Sequence, residues 1–336
     1  MTCIRQKRPV DVIKCIKSFP LPYIWFKEVD KMRRERKNQI FRVLAERIRG
    51  IILNEGIEFS LLQEIRLREA KPLAIYHNGE EKLFNHIVTR EELRETMEYI
   101  ANYSLYAYEE EMKQGFLTID GGHRVGISGK IIPDGGHVRN FQYISSINIR
   151  ICHEIKGCAD RVFPAVLDHE KLCHTLIISP PGRGKTTLLR DMVRQISDGN
   201  AYIKGKNVGV VDERSEIGGC YQGVPQNQVG KRTDILDNCP KAEGMMMMIR
   251  SMSPQVLAVD EIGTEKDVEA VAYAMRCGVV LMATVHGTSL EEIREKPLMK
   301  RFWEGHDFKR YIVMKENGKT GEIEGIYDDR GERVCC

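Results

Sequence analysis

An apolar run at His174–Ser179, HTLIIS, opens into the loop SPPGRGKTT at Ser179–Thr187 and resumes as TLLRDMVRQI. The first run predicts a buried strand, and the second carries its apolar residues at helical spacing. A strand that turns through glycines into a helix N-terminus constrains this chain more than any other feature. Gly182 and Gly184 allow backbone N–H groups to turn inward, forming an anion nest where the helix begins. Lys185 then reaches the β- and γ-phosphates of a nucleotide, and the Thr186 hydroxyl is offered to Mg²⁺. Ser179 stands where the usual pattern has glycine, and a small residue suffices at that entry. Ser179, Pro180, Pro181, Gly182, Arg183, Gly184, Lys185, Thr186 and Thr187 are the candidate nucleotide-binding residues.

Beyond the loop, the chain fits a parallel sheet with helices on both faces. Strand NVGVVD, helix AEGMMMMIRSM, strand QVLAVDE, helix EKDVEAVAYAMRC and strand VVLMATVH alternate in order. Open sheets of this kind place ligands at the carboxyl ends of their strands. VLAVDEIG delivers Asp260 and Glu261 there, Asp260 suited to an outer-shell hold on Mg²⁺ and Glu261 to orienting the attacking water. VVDERSE adds Asp212, Glu213 and Glu216, and MATVHGTS adds Thr284 and His286, a histidine placed to sense a γ-phosphate. Glu261, Asp212 and Glu213 all remain candidates for the main base. Met245–Met248, four methionines on one helix, are expected to pack the core.

Upstream the pattern is different. Residues 1–31 read as an irregular extension, and Asp30–Gly50 as a basic helix with Ile40, Phe41, Leu44, Ala45 and Ile48 on one face. Short strands, a helix over residues 90–104 and hairpins at Asn78-Gly79 and Asp120-Gly121-Gly122 complete a smaller α+β domain at 32–165. The P-loop domain is expected over 166–310. A closing hairpin and tail are expected over 311–336, turning at Asn317-Gly318.

Composition excludes several classes. With 51 Lys+Arg against 48 Asp+Glu the net charge is only +3, so there is no global excess for nucleic acid. No apolar run reaches the roughly 18 residues that span a bilayer, and MTCIRQKRPVDVIKC lacks the apolar core of a secretory signal. A cytoplasmic protein is expected, held at a membrane by a partner where it meets one. Ten scattered cysteines form no C-x-x-C pair, so they read as reduced thiols.

Two resemblances sharpen the reading. The segment MIRSMSPQVLAVDEIGTEKDVEAVAYAMRCGVVLMATVHGTS resembles the core of type II/IV secretion ATPases and twitching-motility motors, with Arg250, Pro254, Glu261, Thr284 and His286 at the matching positions. Asp212-Glu213-Arg214-Ser215-Glu216 matches that family's acidic box, except that Arg214 replaces a proline; Asp260 likewise replaces a common glycine. The strings EIRLREAKPL, GGHRVGISGK, ISSINIRI, SPPGRGKTTLLRD, VDERSEI and VDEIG resemble the stage III sporulation protein AA family of endospore-forming bacteria. This implies a RecA-like P-loop ATPase of the mother cell. ATP and Mg²⁺ are its cofactors, and a homo-oligomeric, hexameric ring its assembly. It would be peripheral to the membrane components of a secretion-like sporulation complex. Arg66, Arg68, Arg124 and Arg150 lie on predicted strands or hairpins of the first domain. The resemblance makes Arg124 and Arg150 candidates for completing catalysis at the phosphates between subunits. The alternative is an ATP-dependent nucleic-acid remodelling protein, supported by the basic helix but lacking an aromatic-laced basic motif.

Overall fold

The computed structural model describes residues 37–102, 108–135 and 137–335. The extension expected over 1–31 lies outside the described residues, as does the first part of the basic helix. The described part of that helix is not continuous. Residues 37–42 are helical, the chain breaks at 43–45, and α1 runs Glu46–Asn54. The break is held from a distance: the amide of Ala45 donates to the Thr96 hydroxyl at 3.1 Å, and that of Glu46 to Glu95 at 3.2 Å. Local periodicity carries no trace of those partners. The apolar face survives the break, for Ile40, Phe41, Leu44, Ala45 and Ile48 are all buried.

Behind that face lies an antiparallel sheet of β1 (Leu62–Arg68), β2 (Pro72–His77), β3 (Glu80–Ile87), β4 (Phe116–Ile119), β5 (His123–Asp134) and β6 (His137–Arg150), in spatial order β3-β2-β1-β6-β5-β4. Its strands alternate. Ile65, Leu67, Val125, Ile147 and Ile149 point into a core shared with α1 and α2 (Arg90–Ile100). A further short helix, α3, spans Glu109–Lys113.

The second sheet has eight strands: β9 (Thr175–Ser179), β10 (Val208–Asp212), β11 (Thr233–Asp237), β12 (Val256–Val259), β13 (Val280–His286), β14 (Arg310–Met314), β15 (Ile323–Tyr327) and β16 (Arg333–Cys335). A separate small hairpin, β7 (Leu167–Asp168) with β8 (Lys171–Leu172), precedes them. Their order is β11-β10-β12-β13-β9-β14-β15-β16, parallel from β11 to β14 and antiparallel beyond. Both faces are covered, which is why these strands read as unbroken apolar runs. On one face, residues 159–166 and α4 (Lys185–Asp198) pack over Ile177, Val210, Ala258 and Ile312. On the other, α5 (Lys241–Met252), α6 (Glu265–Arg276), α7 (Leu290–Glu295) and α8 (Pro297–Glu304) cover Leu176, Leu257, Ala283 and Val313. The expected hairpin at the end of the chain forms as β14–β15, but β14 is an inner strand beside β9.

The two sheets meet along the segment after β10. Gly122 and Gly219 approach backbone to backbone: a Cβ on Gly219 would stand 3.1 Å from the Gly122 Cα, and both residues have positive φ. The amide of Gly121 donates to Gln226 at 3.2 Å beside this contact.

Candidate nucleotide site

The loop after β9 has the conformation its sequence requires. Gly182 and Gly184 sit at φ 71° and 90°, a region that glycine enters without steric cost. Gly184 is the N-cap of α4 and brings no capping side chain, so the first amides of the helix stay available to an anion. Nothing lies within 4 Å of where a Gly182 Cβ would sit. The cradle is open. Ser179 is buried at the end of β9, its hydroxyl donating to the Pro180 carbonyl at 2.8 Å. Arg183 faces the β14–β15 loop, donating to Gly318 O at 3.2 Å and accepting from Gly321 N at 3.0 Å. The Thr187 carbonyl accepts the Cys158 thiol.

Register explains what stands beside the loop. β13 lies between β9 and β12, with His286 opposite Ser179. Asp260, emerging from β12, becomes the meeting point. Its Oδ2 accepts the Thr186 hydroxyl at 2.6 Å, its Oδ1 accepts the Thr284 hydroxyl, and Lys185 Nζ lies 3.8 Å from Oδ1. Lys185 and Asp260 are both largely shielded, which strengthens the pairing relative to a surface one. Glu261 follows at φ 60°, a strained left-handed position for a non-glycine residue. Its amide donates to the Thr284 hydroxyl at 2.8 Å, and the next amide, of Ile262, to the Thr284 carbonyl at 2.9 Å. Its carboxylate is held by two groups: Arg214 Nη1 at 2.7 Å on Oε2, and His286 Nε2 on Oε1.

The other acidic candidates stand differently. Asp212 is buried, and its carboxylate accepts the amides of Glu216, Ile217 and Gly218 at 2.8–2.9 Å. Burial pushes its pKa up to about 6, against the pull of those amides. Glu213 pairs with Lys241 at 2.6 Å. Only Glu261, of the three candidate bases, adjoins Asp260 in the chain and shares Thr284 with it. Arg190, a buried arginine of α4, grips the acidic loop by donating to the carbonyls of Glu216 and Ile217. Sequence reasoning passed it over; the signal is an arginine set among Leu188, Leu189, Met192 and Val193.

Of the candidate arginines, Arg124 meets the acidic loop. It pairs with Glu216 of its own chain at 2.7 Å and lies over the Phe116 ring at 3.7 Å. Burial lowers its pKa from the ordinary arginine value, with Glu216 opposing. Arg150 is exposed, directly across from Arg124 in the β5–β6 register. Arg66 pairs with Glu64, and Arg68 shares its row with Ser146.

Comparison with known proteins agrees with this architecture. The chain is 42% identical over 296 residues to stage III sporulation protein AA of Bacillus subtilis (strain 168), covering 88% of this chain and 96% of that one. A more distant likeness, 26% over 254 residues, joins it to protein SEEDLING PLASTID DEVELOPMENT 1 of Arabidopsis thaliana, with 74% of this chain and 33% of that one covered. Among solved structures, the Legionella pneumophila ATPase DotB superposes with a TM-score of 0.54 at 16% identity, over 80% of this chain and 75% of that one. The pilus retraction motor PilT, solved with bound ADP, gives 0.54 at 15%, over 79% and 77%. Both likenesses show a RecA-like fold. The family described as sporulation stage III, protein AA, matches residues 34–334, and this chain belongs to it.

Proposed function

We propose that this chain is an ATP-binding and ATP-hydrolysing ring motor that energises a secretion-like channel between mother cell and forespore. The observation that carries the ATPase reading is the convergence on Asp260 of Thr186 and Lys185 from the loop and of Thr284 from β13, with Glu261 one residue on. The loop amides and Lys185 bind the phosphate chain. Thr186 and Asp260 present the hard oxygen donors that suit Mg²⁺. Thr186 would face the ion and Asp260 would hold it from the outer shell. Mg²⁺, when bound, neutralises charge developing on the phosphates. Glu261 orients a water in line with the γ-phosphorus and takes its proton as the γ-phosphoryl group passes to the water, leaving ADP and phosphate. Asp212 braces the acidic loop, and Arg124 and Arg150 are proposed to supply positive charge.

No helix among the described residues is long and apolar enough to cross a membrane. We place the protein in the mother-cell cytoplasm, as a hexamer docked on membrane components of the sporulation complex. Two variants test the site. Lys185→Ala removes nucleotide binding, read by calorimetry, and unchanged affinity would refute it. Glu261→Gln keeps binding while turnover falls about a hundredfold or more. Normal turnover in Glu261→Gln, with loss in Asp212→Asn or Glu213→Gln, would move the base to the acidic loop.

A further inference from the structure

Arg214 occupies a position where similar motors carry proline, and the structure gives that departure a partner. Its Nη1 donates to Glu261 Oε2 at 2.7 Å, across 47 residues of chain. The loop beneath it is fixed. Asp212 holds three of its amides, Arg190 holds the carbonyls of Glu216 and Ile217, and the Ser215 hydroxyl accepts the Cys220 amide at 3.0 Å. The guanidinium, by contrast, is more than half exposed at 57%, while Glu261 is 21% exposed. Arg214 is therefore a half-exposed cation, held by one ion pair, on a well-bonded loop.

Its present contact is weak by chemistry. A single hydrogen bond from an exposed arginine to one carboxylate oxygen is screened by water and worth little. A phosphoryl group with two negative charges and a fork-matching geometry is a stronger partner for the same guanidinium. Lys185 and Thr186 both meet Asp260, and Arg214 stands on Glu261, the next residue in the chain. ATP carries one phosphoryl group beyond the β-phosphate at which ADP ends. Arg124 also repels Arg214, since the two guanidiniums are close enough to interact. Glu261, meanwhile, has Arg214 on one oxygen and His286 on the other, so neither oxygen is free to hold a water.

We propose that Arg214 reads the γ-phosphate. Without nucleotide, or with ADP, it is parked on Glu261. With ATP it transfers to the γ-phosphoryl oxygens, and Glu261 is released to position water. The residue thus couples recognition of ATP over ADP to activation of the base. This rests on the ATPase reading above.

The test compares affinities of the full chain, with Mg²⁺, for a non-hydrolysable ATP analogue and for ADP, by calorimetry. Arg214→Ala is expected to weaken analogue binding by roughly tenfold or more and ADP binding by less than about twofold, with Arg214→Lys between wild type and alanine. Equal losses for both ligands, or no loss for either, overturn the proposal while leaving the nucleotide site standing. Unchanged affinity ratio with faster turnover also overturns it, because Arg214 would then be only a restraint on Glu261. A wild-type chain that binds neither ligand overturns the site itself, and this inference with it.

Discussion

The hydroxyl of Thr284 accepts the backbone N–H of Glu261 at 2.8 Å. The same oxygen donates its proton to Asp260. One atom of β13 thereby bonds to the Asp260 carboxylate and to the amide of its neighbour, which sits at φ 60°. Thr284→Val, close in shape but without the hydroxyl, is expected to lower turnover about tenfold or more with a smaller effect on nucleotide affinity; Thr284→Ser should retain most activity. Steady-state kinetics beside direct binding measurements check the split. A loss of affinity as large as the loss of turnover would assign Thr284 to binding alone.

Asp212 makes stability depend on pH in a defined direction. Its folded pKa of about 6 lies above the ordinary 3.8, so the folded chain binds a proton more readily than the unfolded one between these values. Stability from this group is complete below about pH 4 and is lost as pH rises through 6, by an amount on the order of 3 kcal/mol. Denaturant melts of wild type and Asp212→Asn across that window should give a difference that moves against the wild type as pH rises. A constant difference would show that the amides hold Asp212 ionised throughout.

The methionine run divides by face. Met245 and Met248 are buried, while Met247 is 54% exposed. A Cβ on Gly209 would meet Met248 Cγ at 2.5 Å, so α5 rides directly on the backbone of β10. Met248→Ala is expected to cost about 2–5 kcal/mol in chemical denaturation and Met247→Ala less than about 0.5 kcal/mol. Should Met247→Ala instead dissociate the oligomer with its monomer stability intact, the exposed methionine belongs to a subunit contact.

Arg124 reaches the acidic loop of its own chain. Arg124→Ala is therefore expected to lower turnover, and mixing it with Lys185→Ala protein should give no recovery beyond the sum of the two. Recovery on mixing would place Arg124 in the site of a neighbouring subunit. Single-stranded DNA added to wild type should leave the rate unchanged, and strong stimulation would promote a nucleic-acid role.

How far the sequence discloses the fold depends on the range of the forces involved. The loop at Ser179–Thr187 and the strand end at Asp260–Glu261 were legible because each is a local pattern whose neighbours in the chain are its neighbours in space. β11 was not, since its residues alternate partial exposure with polar Asp234 and give no apolar run at the sheet's edge. Nor were α7 and α8, two short helices joined at Lys296–Pro297. The break at 43–45 depends on Thr96, and the partner of Glu261 on Arg214. Both pairings are decided by register between distant strands and helices. The insertion of β13 between β9 and β12, which brings Thr284 to Asp260, is likewise a property of strand order rather than of composition.

The contact between Gly122 and Gly219 has a further consequence. A methyl group at either position would drive into the opposite backbone, 3.1–3.3 Å away, and would strain a left-handed φ as well. The spacing of the two sheets is thus set by the lack of side chains at two points. Alanine at either position requires the opposite backbone to give by a few tenths of an ångström, beside the segment that carries Arg214 and Glu216. The fit between the sheets is therefore sensitive to a single methyl group, at a seam that the Arg124–Glu216 pair also crosses.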